Sequence, residues 1–232
     1  MLEKAFEALK TYDWGKDRKL LKPIDDEVVQ THGDADARAR LEKLLLIALK
    51  SDLSYDAKQF LCRKLMVVGT AASVPELAAL LPDKKLSHMA RYALERIPAP
   101  EAAKALRDAL SKLGGKLKIG VIASLGVRQD EATVPELAKL LGDSDPTIAR
   151  AAAHGLGAIR TSAAAKALTQ GKLSVEAQSA AADAKLTCAE ALLADGNKKD
   201  ALPIYKSLAT AAGQPKHVKV AATRGILACA GK

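Results

Sequence analysis

The sequence has few aromatic residues and no long uncharged run. Its 232 residues include one Trp, four Tyr and two Phe, whereas β-sandwiches and barrels depend on aromatic and β-branched side chains. So few rings also argue against sites that bind sugars or nucleobases by stacking. The longest stretch without a charged side chain, residues 65–75, is too short for a membrane-spanning helix, which needs roughly 20 apolar residues. We therefore expect neither a β-fold nor a membrane span.

Cysteine and histidine are also scarce and scattered. Cys62, Cys188 and Cys229 lie far apart without CxxC spacing, so we expect buried free thiols, with a disulfide between Cys188 and Cys229 as the alternative. The four histidines lack the spacing of metal ligands. No nucleophile is accompanied by an evident base and orienting acid. We therefore predict that the chain is not an enzyme and has no catalytic residue, metal site or cofactor.

What the sequence has in abundance favours helices. It contains 46 Ala and 34 Leu but only 15 Gly and 9 Pro, and Ala and Leu are the residues that most favour α-helix. Residues 1–10 contain Glu3 and Glu7 and have an amphipathic helical pattern, so we expect no signal peptide there. The unpaired thiols favour a reducing compartment such as the cytoplasm, with export after removal of a signal as the alternative.

An internal repeat organises the chain. The segment VPELAALL at 74–81 recurs as VPELAKLL at 134–141, and AAKAL occurs at both 102–106 and 164–168. A leucine near the end of each second helix repeats every 29–36 residues: Leu65, Leu94, Leu125, Leu156, Leu192 and Leu227. We call these the marker leucines. Such a period, with two helices per unit, predicts a helical solenoid.

The repeat predicts six helical hairpins, at 35–68, 72–97, 100–127, 131–159, 161–195 and 197–230. In the fourth, Asp145 and Pro146 are suited to the start of the second helix. That helix has a side of Ala and Gly residues, which predicts close neighbours. Residues 1–33 are predicted to form an N-terminal helical cap with Trp14 packed on the first hairpin, and residues 34–232 a single continuous solenoid.

The clearest hairpin carries a family resemblance. The residues DPTIARAAAHGLGAI at 145–159, preceded by ATVPELAKLLGD at 132–143, resemble HEAT repeats of the short bacterial kind also found in phycobilin lyases. The resemblance implies an all-α fold, a right-handed α-α superhelix that is HEAT-like, with about six hairpins behind the cap. The last two hairpins resemble tetratricopeptide repeats through Leu186, Ala189, Leu192, Gly196, Ala201, Ile204, Tyr205 and Leu208.

Two departures from family patterns bear on function. HEAT repeats usually place Arg or Lys where Ala149 stands, paired with an Asp of the turn, so we do not expect that ladder here. HEAT-type deoxyhypusine hydroxylases rely on paired His-Glu motifs, and no His of this sequence is followed by Glu. We therefore do not expect that activity.

Positive charge is the remaining signal. The net charge is +9, of which residues 61–120 contribute +6 and residues 181–232 contribute +4. One basic residue precedes each marker leucine by three, six or seven positions: Lys58, Arg91, Lys118, Arg150, Lys185 and Arg224. These residues predict a basic stripe on the concave surface, although such cations are also commonly just solvated.

The stripe leads to a functional hypothesis. We predict an interaction scaffold that binds a protein partner through its concave surface, and the stripe favours an acidic partner. No small-molecule substrate is predicted, because stacked hairpins form a groove rather than a deep pocket. The alternative is sequence-independent binding of nucleic acid to the same stripe.

Overall fold

The computed structural model describes residues 1–231, and this part of the chain contains fourteen α-helices and no strand. In chain order they are α1 (Leu2–Ala8), α2 (Lys22–Gln30), α3 (Ala35–Leu49), α4 (Tyr55–Val68), α5 (Val74–Ala79), α6 (Ser87–Arg96), α7 (Pro100–Lys112), α8 (Gly115–Val127), α9 (Val134–Leu140), α10 (Pro146–Ile159), α11 (Ser162–Gln170), α12 (Gln178–Ala194), α13 (Lys198–Thr210) and α14 (Lys216–Cys229). Short 3-10 helices precede four of them, at Arg18–Leu21, Ala71–Ser73, Glu131–Thr133 and Val175–Ala177. Each predicted hairpin range holds two α-helices, so the predicted all-α fold of helical hairpins is confirmed.

Two compact units make up the chain. The first is Met1–Leu113, and the second begins at Gly114. In the first unit, α4 packs on α6 and α5 packs on α7. In the second, α10 lies between α8 and α12, α12 also packs on α14, and α9 packs on α11. Within each unit the first and second helices of successive hairpins therefore form separate layers. The division into a cap of residues 1–33 and one continuous solenoid stays a prediction.

Polar side chains fix where several helices begin. Asp145 accepts the backbone N–H of Thr147 at 2.8 Å, and Pro146 occupies the first position of α10. Ser54 and Thr161 cap α4 and α11 in the same manner. Such caps satisfy N–H groups that have no partner inside the helix. The start of α10 is therefore as predicted.

Glycine lets α10 approach both of its neighbours in the second-helix layer. A Cβ atom on Gly155 would lie 2.8 Å from Cγ2 of Ile122 in α8, and one on Gly157 would lie 2.8 Å from Cβ of Ala184 in α12. Neither position has room for a side chain without movement of the neighbouring helix. The close packing predicted from the small side of this helix is confirmed.

A buried carboxylate joins the first two hairpins. Glu42 of α3 is only 4% exposed. It accepts the backbone N–H of Thr70 at 2.7 Å, the Thr70 hydroxyl, and the hydroxyl of Ser73. One turn earlier on α3, Arg38 donates to the carbonyl groups of Val67 and Val68 at the end of α4, at 3.0 and 2.8 Å. These bonds satisfy polar groups that would otherwise be buried without partners. The sequence did not predict this network.

The prediction that Trp14 packs the N-terminal segment onto the first hairpin is wrong. Trp14 is 88% exposed. The contact is instead made by α2 and α4, where Phe60 is buried. The Nζ atom of Lys64 lies 4.8 Å from the centre of the Phe60 ring and forms an ion pair with Asp25. Phe60 and this ion pair fill the space that Trp14 was expected to occupy.

Candidate functional site

The second helices of each unit expose one face to solvent, and these faces form the candidate site. In the first unit the face carries Tyr55 and Gln59 of α4, together with His88 and Tyr92 of α6. Gln59 donates its side-chain N–H to the Tyr55 hydroxyl at 3.2 Å. The rings of His88 and Tyr92 have centroids 6.1 Å apart. Arg63 and Arg96 are exposed one turn further along the same two helices, so this face combines aromatic, amide and cationic groups.

The six basic residues predicted to form a stripe do not share one exposed face. Three of them precede a marker leucine by seven positions and are half-buried: Lys58, Lys118 and Lys185. Successive residues are about 100° apart around an α-helix, so a residue seven positions away is rotated by only about 20°. The three corresponding leucines are buried. These lysines therefore lie on the buried side of their helices, with only their ends reaching solvent.

Both basic residues of the first unit already interact with groups of the same unit. Arg91 Nη2 lies 3.4 Å from Nδ1 of His88. Partial burial lowers the pKa of Arg91, and the charge of Glu95 opposes this. Backbone N–H groups, chiefly that of Leu86, lower the pKa of Asp83, and Lys58 adds to the effect.

Arg150 and Arg224 are the fully exposed members of the predicted set in the second unit. Arg150 is six positions before its marker leucine and is rotated from it by about 120°, which places it on the outer side of α10. Within residues 1–231 neither guanidinium forms an ion pair. Lys185 differs from them, because burial lowers its pKa. These two arginines are thus the accessible cations of the predicted site.

Acidic residues lie on the helix that separates Arg150 from Arg224. Asp183 and Glu190 are exposed on α12. Asp183 Oδ1 is 3.4 Å from Nε2 of His217, which belongs to α14. The outer face of the second unit is therefore mixed in charge and is not a continuous positive ladder.

The last marker leucine was assigned wrongly. Leu227 is 49% exposed, whereas α14 buries Val218, Ala222 and Gly225. The ring of Tyr205 occupies the space next to Gly225, where a Cβ atom would overlap it. The aromatic residue of α13 therefore sets the orientation of α14. Arg224, which precedes Gly225, is exposed.

The cysteines are free thiols rather than a disulfide. Burial raises the pKa of the Cys62 thiol to about 12 and that of Cys188 to about 11. At neutral pH both thiols are protonated and poorly nucleophilic. Among residues 1–231, no three His, Cys, Asp or Glu side chains come together as metal ligands. Nor does this part of the chain contain a helix long and apolar enough to cross a membrane.

Comparison with known proteins supports the repeat assignment. The family described as HEAT repeats matches residues 115–184, which run from α8 into α12. Comparison with curated proteins finds no match. Among solved structures, human deoxyhypusine hydroxylase in complex with glycerol is similar at 15% identity and a TM-score of 0.33, covering 100% of this chain and 96% of that one. The tetratricopeptide resemblance of the last two hairpins stays a prediction.

One prediction is corrected by this comparison. The sequence predicted that the chain is not an enzyme, but a solved structure similar to it over its whole length is that of a hydroxylase. A fold does not by itself determine function, so the repeat architecture is no ground for excluding catalysis.

Proposed function

We propose that this chain binds a protein partner through the outer faces of its second helices. HEAT repeats in general mediate protein interactions, and stacked helical hairpins offer extended surfaces for them. The observation that carries the proposal is that Arg150 and Arg224 are exposed and unpaired within the described residues. Arginine is enriched at protein interfaces because its planar guanidinium can bind a carboxylate through two hydrogen bonds.

The charges of the second unit define the partner further. Acidic groups of a partner are attracted where they lie opposite Arg150 and Arg224. Asp183 and Glu190 repel acidic groups of the partner from the middle of the face. A partner with two separated acidic positions fits this pattern better than a uniformly acidic one. The mixed charge thus supports selection among acidic proteins.

Charge reversal tests the proposal. The double substitution Arg150→Glu with Arg224→Glu is compared with Lys166→Glu combined with Lys206→Glu. The control has the same net charge and alters exposed residues of the first helices α11 and α13. The partner is first isolated from the native host by affinity capture and mass spectrometry, and its dissociation constant is then measured by calorimetry. We expect the arginine variant to bind at least about tenfold more weakly, a loss of roughly 1.4 kcal/mol, and the control to bind normally.

Two results would contradict the proposal. Equal weakening in both variants would mean that net charge alone attracts the partner. Unchanged binding in both would place the interface elsewhere. The predicted alternative, nucleic acid, is tested by retention on an immobilised DNA duplex at increasing salt, because phosphate contacts make such binding strongly salt-dependent. Retention that the arginine variant abolishes would favour nucleic acid over protein.

A further inference from the structure

Three of the seven aromatic side chains are exposed, and all three lie in the first unit. Trp14 is 88% exposed, Tyr55 41% and Tyr92 39%. Aromatic side chains bury large apolar areas, and Trp and Tyr also carry a polar group, which suits surfaces from which binding excludes only part of the water. They are also the residues that most often dominate the binding energy of protein interfaces. A chain with so few rings therefore exposes nearly half of them in one region.

The fold brings these rings to one end of α4 and α6. Ser54 donates its hydroxyl proton to the carbonyl oxygen of Tyr12 at 2.6 Å, which places Trp14, two residues later, at the end of α4 where Tyr55 lies. Helix α6 packs along α4. We call this surface the aromatic patch, which comprises Trp14, Tyr55, Gln59, His88 and Tyr92.

The charges around the aromatic patch are predominantly positive. Four exposed lysines next to it form no ion pair within residues 1–231: Lys16, Lys19, Lys84 and Lys85. Two of the neighbouring aspartates already accept backbone N–H groups: Asp13 accepts that of Trp14 at 2.9 Å, and Asp17 accepts that of Lys19 at 2.9 Å. Asp52 and Asp56, which lie beside Tyr55 in the sequence, form no ion pair within residues 1–231. The free lysines therefore outnumber the free aspartates.

The arrangement of the rings favours a peptide over a nucleic acid. Bases stack on open ring faces, but Tyr55 and Tyr92 are more than half covered. Gln59 contacts the Tyr55 hydroxyl, and His88 lies beside Tyr92. What these two tyrosines offer is part of each ring with its hydroxyl group, beside an amide and an imidazole, and such groups match the apolar side chains and backbone of an extended peptide.

We propose that the aromatic patch binds an extended acidic peptide segment of a protein partner, with apolar residues of that segment lying against Trp14, Tyr55 and Tyr92. The four free lysines attract its carboxylates. This inference rests on the proposed function, since it assumes that the chain binds protein, but it concerns a different surface, in the first unit.

Trp14 gives the test a direct signal, because it is the sole tryptophan and belongs to the aromatic patch. A library of random peptides of about 12 residues, which span roughly 40 Å when extended, is displayed and selected against the full chain. We expect enrichment of Asp and Glu beside apolar residues. Titration of a selected peptide should shift the Trp14 emission to shorter wavelength as water is displaced.

Substitutions assign that signal to the aromatic patch. Tyr55→Ala with Tyr92→Ala should weaken the selected peptide at least about tenfold, as expected for interface hot spots. Val127→Ala with Val175→Ala, which removes exposed apolar groups of the second unit, should not. Should the tyrosine variant lose its fold by circular dichroism, Trp14→Ala replaces it with calorimetry as the readout, because so exposed a side chain contributes little to stability.

Each remaining outcome decides against the inference. Basic or purely apolar peptides, or no enrichment, would overturn it, as would quenching of Trp14 by an oligothymidine that peptides do not reproduce. If acidic peptides bind the tyrosine variant normally but fail to bind after reversal of Arg150 and Arg224, the inference fails while the proposed function stands. If the tyrosine variant loses the isolated partner and the arginine variant keeps it, the aromatic patch stands and the proposed arginine surface fails.

Discussion

Gly157→Ala should destabilise the protein, which is the opposite of what this change usually does in a helix. On an exposed helical position, replacing Gly by Ala stabilises by about 1 kcal/mol. At Gly157, however, the added methyl group would lie 2.8 Å from Cβ and 2.9 Å from Cα of Ala184. The second of these is a backbone atom, so α12 must move. Overpacking of this kind costs roughly 1–3 kcal/mol, and we expect a net loss of about 0–2 kcal/mol.

A compensating substitution isolates the packing effect. In the double variant Gly157→Ala with Ala184→Gly, one helix gains what the other loses in helix propensity, and the contact of the methyl group with Cβ of residue 184 is removed, so that only its contact with the Cα atom remains. We expect its free energy of unfolding to lie within about 1 kcal/mol of the wild type, with a coupling energy of about 1–3 kcal/mol. The assay is urea unfolding followed by far-ultraviolet circular dichroism for all four members of the cycle. Stabilisation by Gly157→Ala alone, with no coupling to position 184, would refute the close packing of α10 on α12.

Four further experiments test other parts of the structure. Glu42→Leu should lower the free energy of unfolding by about 2–4 kcal/mol in the same urea assay, because it leaves buried hydroxyl and N–H groups without an acceptor; a loss below about 0.5 kcal/mol would contradict the network. Arg160 ends α10 with a left-handed φ of 63°, so Arg160→Gly should stabilise by about 1 kcal/mol, and a lower thermal midpoint would argue against this backbone conformation. Cys229 should react with a thiol reagent at pH 8 while Cys62 and Cys188 remain unmodified in the folded protein. In the folded protein, burial raises the pKa of Cys62 to about 12 and that of Cys188 to about 11 from the ordinary 9.0. The two protonated thiols should therefore contribute fully to stability below pH 9, and this contribution should decline as the pH rises from 9 towards 12. In the Cys62→Ala and Cys188→Ala variants the free energy of unfolding should fall less over the same pH range.

The hairpin ranges could be predicted from the sequence because each depends on local signals. The repeated VPEL segments at 74–77 and 134–137 begin α5 and α9 in the structure. Asp145 and Pro146 fix the start of α10 through bonds to adjacent residues. Periodic leucines report which side of a helix is buried as long as neighbouring helices keep the same spacing. Secondary structure and layer order follow from these short-range features.

The candidate site was harder to predict because exposure depends on contacts between distant residues. Lys58, Lys118 and Lys185 lie seven residues before buried marker leucines, and helical geometry places residues at that offset close to the buried side. Leu227 follows the period yet is exposed, because Tyr205 packs on Gly225 and reorients α14.

The exposure of Trp14, which lies in a turn, also depends on contacts with residues distant in the sequence. Its exposure depends on the bond between Ser54 and Tyr12 and on the burial of Phe60 against the N-terminal segment. No pattern in residues 1–33 signals these long-range contacts. The exposed aromatic rings could therefore be identified only from the structure.

Site-specific photo-crosslinking in the native host tests the central claim most directly, because it does not require the partner to be known. A photoreactive amino acid is placed at His154, which is exposed on the second helix α10, and in a separate variant at Lys166, which is exposed on the first helix α11. The account predicts that a protein partner is captured from position 154 and not from position 166. Capture from position 166 alone, or equally from both positions, would contradict a binding surface formed by the second helices.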